Sequence, residues 1–489
     1  MAHFSAKLVV SQLLLAWPVA QAVQAQTATF AAAVTYSAGV NSKPEDVAIA
    51  DLNADGKADL VTANNTSNTV GVLLGNGNGT FQAVVTYPIG GNSNPVGVAV
   101  ADVNGDGKPD LLEVNLYDAT VGVLLGNGNG TFQAVLFYQA GILNPGGLVV
   151  ADMNGDTKPD IIMPDAYGSG NYVSILFGTG TGTFPNGVIY PMTANSSPAA
   201  VAVADVNGDG RPDVFTANNN DSSMGVLLTA GTSFQAPVAY SAGSGAVPKS
   251  VAVADVNADG KPDVFTTSEA YSTSTASVFL GNGNGTFKTA VPYSTGSTSE
   301  PSGIRIADMN GDGKLDLITA NKFASSAGIL LGTGTGTFQA VTAYAAGSFG
   351  FPQALAVGDV NGDRKPDIIT ANSTSNTLGV LLNTTAGTFL PTRAALPGTA
   401  AALSPNPAHA SATLAATGLP AAARTVEATL LSPVGQVVRR FSMPAALGAA
   451  TATVPTAGLA PGLYLLRLDA VDAQGAALGA LPVQRLSVE

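Results

Sequence analysis

Seven acidic loops about fifty residues apart, four short apolar strands in each repeat, and abundant Gly and Pro predict an all-β chain: a seven-bladed β-propeller followed by a small immunoglobulin-like β-sandwich. The loops begin at Asp51, Asp102, Asp152, Asp205, Asp255, Asp308 and Asp359, at intervals of 51, 50, 53, 50, 53 and 51 residues. With 46% apolar residues, 57 Gly and 29 Pro but only 11% charged residues, the 489-residue chain suits short strands and tight turns rather than long helices.

From the N-terminus, Lys7 precedes the apolar run Leu8 to Val19 and small-residue sites at Ala20-Gln21-Ala22 and Val23-Gln24-Ala25. This is the pattern of a removable secretory signal over residues 1–25. The mature chain is expected to begin near Val23 or Gln26 and, because Trp17 lies in the signal, to contain no Trp. The apolar run is too short for a stable span and no later stretch reaches about 18 uninterrupted apolar residues, so no transmembrane segment is expected.

Residues 26–392 carry the repeat. In the second copy the expected strands are Val98 to Ala101, Asp110 to Val114, Thr120 to Leu125 and Phe132 to Tyr138. Large and small side chains alternate in Val98-Ala99-Val100-Ala101, which suits an innermost strand near a crowded axis. Between the third and fourth strands lies a glycine-rich turn, Gly75-Asn76-Gly77-Asn78-Gly79-Thr80-Phe81, repeated at Gly126, Gly178, Gly281 and Gly332. No helix pattern or Lys-Ser/Thr follows these glycines, so they read as turns with positive φ rather than as a phosphate loop. Fourth-type strands start eight times, at Phe30, Phe81, Phe132, Phe184, Phe234, Phe287, Phe338 and Phe389, whereas the other three types occur seven times. Phe30 to Tyr36 is expected to complete the last blade, because the Phe389 segment soon meets Pro391.

Every acidic loop fits Asp-x-Asn-x-Asp-x-x-x-Asp. The side-chain oxygens at positions 1, 3, 5 and 9, with the backbone carbonyl at position 7, make the candidate metal ligands. In chain order they are Asp51, Asn53, Asp55, Lys57 and Asp59; Asp102, Asn104, Asp106, Lys108 and Asp110; Asp152, Asn154, Asp156, Lys158 and Asp160; and Asp205, Asn207, Asp209, Arg211 and Asp213. The last three sets are Asp255, Asn257, Asp259, Lys261 and Asp263; Asp308, Asn310, Asp312, Lys314 and Asp316; and Asp359, Asn361, Asp363, Lys365 and Asp367. Such an all-oxygen set suits Ca²⁺, which takes six to eight oxygens at flexible geometry, better than Mg²⁺. The Lys and Arg side chains at position 7 are expected to pair with carboxylates in solvent, only their backbone touching the ion. Glu113 stands at the twelfth position of its loop, but inside a strand, so this is no EF-hand. Three carboxylates in nine residues repel one another without a cation. The loops hold 21 of the 33 acidic residues, and seven Ca²⁺ would bring +14 against the net charge of -13. Thr157 and Arg364 replace glycine at position 6, where positive φ is expected, so those two loops should bind less tightly.

These loops resemble the FG-GAP or VCBS repeats of integrin α-subunit propellers and of many bacterial surface proteins. The resemblance covers about residues 30–390. It implies a structural calcium between the first and second strands of each blade, up to seven in all.

After Thr392 the composition turns alanine-rich, with residues 393–403 reading as a linker and 404–489 as a separate unit. Strands are expected at Ala412 to Ala415, Val426 to Leu431, Val437 to Phe441, Thr451 to Val454, Leu463 to Leu468 and Gln484 to Val488. Ser404-Pro-Asn-Pro407, Ser432-Pro-Val-Gly-Gln-Val-Val438, Leu459-Ala-Pro-Gly-Leu-Tyr-Leu-Leu-Arg-Leu468 and Gln484-Arg-Leu-Ser-Val488 resemble a type IX secretion sorting domain. That resemblance implies export through the type IX machinery, with release or attachment at the outer surface of a Gram-negative bacterium. A plain accessory sandwich is the alternative.

Several chemistries are excluded. There is no Cys, and His3 and His409 lie outside the repeats, so thiolate sites, disulfides and Ser-His-Asp or multi-histidine centres cannot form there. The acidic balance opposes a nucleic-acid partner. The face opposite the acidic loops varies between copies and carries Tyr117, Tyr167, Tyr172, Tyr271, Phe323, Phe349 and Phe351 near Asn and Asp, groups that recognise sugars or proteins. The expectation is therefore a non-enzymatic adhesion or ligand-binding module, with a glycan or protein as ligand. A polysaccharide-degrading enzyme on a propeller and a structural spacer are the alternatives.

Overall fold

The computed structural model describes residues 27–166, 170–185, 187–231, 233–270, 273–347 and 349–386. Towards the C-terminus it describes 400–404, 411–417, 419, 423–431, 437–446, 449–455, 462–471 and 477–488. The expected signal, most of the linker, Tyr167, Tyr271 and the Phe389 segment lie outside these residues. So do parts of the motifs read as a sorting domain.

Seven antiparallel four-stranded sheets follow one another along the chain, and no helix occurs among the described residues. In the second blade the strands are Pro95–Ala101, Asp110–Asn115, Thr120–Leu124 and Leu136–Gln139. The fourth begins later than the sequence suggests. Phe132 makes only an isolated bridge to Gly126, because its ring turns inward and meets Tyr87 of the preceding blade edge to face at 5.5 Å.

The last blade is closed from the front of the chain: Val34–Ser37 pairs with Thr377–Leu381, beside Asp367–Asn372 and Pro352–Gly358. Phe30 bridges Asn383, the Ala31 N–H donates to the Leu382 carbonyl at 2.8 Å, and the Thr384 N–H donates to the Thr29 carbonyl at 2.8 Å. Closure from both ends leaves no blade with a missing strand.

The pattern of burial follows from the stacking of sheets. The second strand is buried along its whole length in every blade. Each core is shared by neighbours: Val47, Leu60 and Leu73 of the first blade pack with Ile369, Leu378 and Val380 of the seventh. A single blade cannot cover both of its faces, so the ring stabilises each member. The inner strands approach closely, and a Cβ on Gly97 would lie 2.8 Å from the Gly147 Cα. Six first strands begin with Pro, and the register shifts just after it, as suits a residue with no N–H for the ladder.

The C-terminal unit has seven strands in the order Ala400–Ser404, Ser411–Thr417, Ala449–Pro455, Val437–Ala446, Thr425–Leu431, Gly462–Val471, Ala477–Val488. Its core joins Leu414 and Val454 with Val426, Met443, Leu466 and Leu468. The strand Ala400–Ser404 belongs to this sheet, although the sequence reading puts its first four residues, 400–403, in the linker. Its low-contrast Ala-Ala-Ala-Leu-Ser composition carries no strand signal, and only its pairing with Ser411–Thr417 reveals it.

Candidate functional site

Each acidic loop joins the first strand of a blade to the second. In the second blade, Asp102 Oδ1 accepts from the N–H groups of Gly105 (2.7 Å) and Asp106 (3.2 Å), and its Oδ2 accepts from Gly107 (2.8 Å). Asn104 Oδ1 accepts from the same Asp106 N–H at 2.9 Å, and Asp106 Oδ1 accepts from Lys108 at 3.0 Å. Oxygens of positions 1 and 3 thus converge on one N–H. The convergence recurs at Asp55, Asp156, Asp209, Asp259 and Asp312. In the seventh loop Asn361 alone meets the Asp363 N–H, and Asp359 Oδ1 accepts from Gly362.

Position 9 behaves differently. Asp59, Asp110, Asp160, Asp213, Asp263, Asp316 and Asp367 are fully buried. In each, one oxygen accepts from the N–H at loop position 2, as Asp59 does from Leu52 at 2.9 Å, and the other accepts from the start of the glycine-rich turn, as Asp59 does from Gly75 at 2.7 Å. The pairs are Val103 and Gly126, Met153 and Gly178, Val206 and Thr229, Val256 and Gly281, Met309 and Gly332, and Val360 and Asn383. The ninth Asp therefore ties two loops of its blade together. Turn chemistry within the loop does not require it, but this second connection does, and nothing local in the sequence announces it.

Electrostatics set the ninth position apart as well. Burial pushes all seven of these carboxyls above the usual range, and the Asp residues at positions 1 and 5 push in the same direction. Asp263 reaches about 6, and Asp316 and Asp367 about 7. By contrast, the Lys108 N–H draws Asp106 below the usual range, helped by the Lys108 ammonium. Six of the seven position-7 side chains reach back to position 5, from Lys57 on Asp55 at 3.4 Å to Lys365 on Asp363 at 3.7 Å. These half-exposed pairs contribute little to stability.

Backbone strain is more widespread than the sequence indicates. Thr157 and Arg364 do sit at positive φ, 68° and 71°. Position 4 is left-handed too, so Ala54 (59°) and Ala258 (55°) are strained in the same way. The five loops with Gly at position 4 donate its N–H to the first Asp, and among the described residues Ala54 and Ala258 make no such bond. The strained loops are the first, third, fifth and seventh.

Among the described residues, no three His, Cys, Asp or Glu side chains gather closely enough to form a ready-made metal cluster. The loops instead hold their carboxylates on backbone N–H groups, each oxygen keeping a further lone pair. The donor set of two or three carboxylates, one amide oxygen and one carbonyl fits a hard cation such as Ca²⁺ in type, with bidentate carboxylates or water needed to reach six to eight oxygens.

On the opposite face, Tyr117 is 72% exposed and Phe349 is 81% exposed. Phe323 and Phe351 meet edge to face at 5.3 Å, with Lys322 Nζ 5.9 Å from the Phe323 ring. Phe349 and Phe351 both have positive φ, 51° and 47°. Glu113 lies in the second strand of the second blade, where five other blades carry Thr. Burial raises its carboxyl to about 8; Oε1 accepts from Asn115 Nδ2 at 2.8 Å and Oε2 has no partner.

No curated protein matches the chain. Among solved structures it is similar to a protein from Lactobacillus plantarum, with 14% identity over 62% of this chain and 84% of that one, at a TM-score of 0.46. It is also similar to a candidate 6-phosphogluconolactonase from Bacteroides fragilis, with 15% identity over 64% and 86% and a TM-score of 0.47. A third is the extracellular domain of a candidate hybrid two-component system from B. thetaiotaomicron, with 8% identity over 94% of this chain and 60% of that one, at 0.44. The FG-GAP-like repeat model matches residues 51–113, 165–216, 205–266, 255–319 and 308–370, more than half of the chain. With seven four-stranded blades and an acidic loop in each, this chain belongs to the FG-GAP-like repeat family.

Proposed function

We propose that the chain is an exported, calcium-stabilised propeller that binds a ligand through the face opposite its acidic loops, and that it is not an enzyme. The observation that carries this reading is the contrast between the faces: one holds seven near-identical oxygen-rich loops, and the other holds side chains that differ from blade to blade, with Tyr117 and Phe349 almost wholly exposed. When bound, calcium would supply positive charge beside three carboxylates, one of them buried. The residues that would hold it are the Asp and Asn at positions 1, 3, 5 and 9 of each loop, with the position-7 carbonyl. No role in bond making is assigned to the ion: the raised carboxyls of Asp263, Asp316 and Asp367 are each held by two backbone N–H groups of their own blade.

Two features support export: the secretory signal pattern of residues 1–25 and the sorting-domain motifs of residues 404–489. No helix among the described residues is long and apolar enough to cross a membrane. The type IX machinery is the proposed export partner, and the outer surface or the medium of a Gram-negative bacterium the proposed destination.

Glycan arrays and pull-downs on calcium-loaded protein test the ligand-binding reading. Binding that weakens at least about tenfold in Tyr117→Ala or Phe349→Ala supports it. Blank results at millimolar ligand, or release of reducing ends from polysaccharide, overturn it.

A further inference from the structure

Around the ring, the turn between the third and fourth strands seals the seam with the preceding blade. The third turn glycine, at Gly79, Gly130, Gly182, Gly285 and Gly336, packs against a Leu of that blade: Leu382, Leu74, Leu125, Leu228 and Leu280. At three of these seams a Tyr hydroxyl of the preceding blade donates to the same glycine's carbonyl, Tyr36 to Gly79, Tyr87 to Gly130 and Tyr138 to Gly182. At the seam of the sixth and seventh blades the Tyr344 hydroxyl donates to the Ala28 carbonyl instead.

The seam between the third and fourth blades lacks this seal. In sequence, residues 229–234 are one fewer than residues 75–81 and include no third glycine, and Phe177 stands where the neighbouring blades have Leu74 and Leu125. At this seam the described residues Met153, Asn154, Phe177, Tyr190 and Phe234 line a cavity of about 250 Å³. Tyr190 and Phe234 meet edge to face at 4.7 Å. Among the described residues the Tyr190 hydroxyl makes no hydrogen bond like those of Tyr36, Tyr87 and Tyr138, a state it shares with Tyr240 and Tyr293. Asn154 Oδ1 is held by the Asp156 N–H at 2.8 Å, which leaves its Nδ2 to donate elsewhere.

We infer that this seam is a binding subsite for a single pyranose residue of a glycan. The aromatic walls match the C–H face of a sugar ring, and the Tyr190 hydroxyl and Asn154 amide are donors for ring hydroxyls. An aromatic or aliphatic side chain of similar size would leave both donors unmet, which disfavours it. The volume admits one ring, so the subsite reads a terminal or side-branch residue rather than a chain. This inference goes beyond the ligand-binding reading of the opposite face, because the cavity lies on the acidic-loop side, beside Met153 and Asn154.

The test is saturation-transfer NMR and calorimetry on the full chain with the methyl glycosides of glucose, galactose, mannose and N-acetylglucosamine, and with phenol as an aromatic probe. Wild-type protein is expected to bind at least one glycoside with a Kd of about 1–10 mM. Tyr190→Phe should weaken it about fivefold, and replacing Thr229–Phe234 by the seven-residue Gly-Asn-Gly-Asn-Gly-Thr-Phe turn should abolish it. Phe177→Leu, a smaller change, keeps the test open if the graft fails to fold, and should weaken binding about threefold. Glycoside binding unchanged in the folded graft overturns the seam site and leaves the ligand-binding reading intact. Binding of phenol alone, or of nothing, overturns the sugar assignment.

Discussion

On one face of the ring, the loops from Asp51–Asp59 to Asp359–Asp367 repeat their nine positions with few changes; on the other, Asn41, Ser42 and Lys43 of the first connection become Phe349, Gly350 and Phe351 in the last. The backbone is the same in both connections, with φ of 50° and 49° in the first and 51° and 47° in the last. Where only the backbone path matters, side chains are free to diverge. Where they do not diverge, as at the ninth Asp, the side chain itself holds two loops together. On the function proposed above, the same contrast would separate structural loops from recognition loops.

The sharpest way to break that comparison is to truncate one residue on each face. Asp316→Ala removes the acceptor of the Met309 and Gly332 N–H groups and is expected to cost about 3 kcal/mol, measured by urea unfolding. Phe349→Ala, on the variable face, should stay within about 0.5 kcal/mol. Equal costs would erase the distinction.

A second test uses the buried acid of the second blade. The folded carboxyl of Glu113 titrates near 8, well above the range of an unfolded chain. Between those values the folded state keeps a proton that the unfolded state has released, so stability falls as pH rises towards 8 and then levels off. Glu113→Gln removes that slope. Wild type and variant should differ little at pH 5, and above pH 8 the variant should be more stable by a few kcal/mol in thermal or urea unfolding. A pH-independent difference would contradict the assignment.

Smaller effects come from the strained loops. Thr157→Gly, Arg364→Gly, Ala54→Gly and Ala258→Gly relieve positive φ and should each stabilise by up to about 1 kcal/mol, nearly additively because the loops lie in different blades. Position-matched Gly107→Ala, in an unstrained loop with φ of 78°, should destabilise by a similar amount.

Much of this was legible in the sequence because the repeat samples each feature seven times. Period, strand count, acidic loops and closure by the N-terminal strand all follow from counting copies and asking which strand type is surplus. Other features were hidden for definite reasons. The bond from the ninth Asp to the glycine-rich turn joins residues 16 to 18 apart, such as Asp59 and Gly75, and no local pattern records it. Strain at Ala54 and Ala258 was missed because Ala offers no visible break in a Gly-rich loop. The strand Ala400–Ser404 lacks hydrophobic contrast. The open seam at Phe177 is visible as a turn one residue short, but its meaning depends on what the other turns fill.

Calcium dependence tests the account most directly. At free calcium about 100-fold above Kd, each loop would contribute roughly 2.7 kcal/mol, and removal would leave three carboxylates opposed at every loop. Thermal unfolding and hydrogen exchange of residues 26–489 should be compared in millimolar Ca²⁺ and in EGTA, with bound ions counted by native mass spectrometry. The account predicts up to seven ions, a large loss of melting temperature in EGTA, and earliest loosening in the first, third, fifth and seventh blades, whose loops are strained. An unchanged melting temperature with fewer than three bound ions would contradict it.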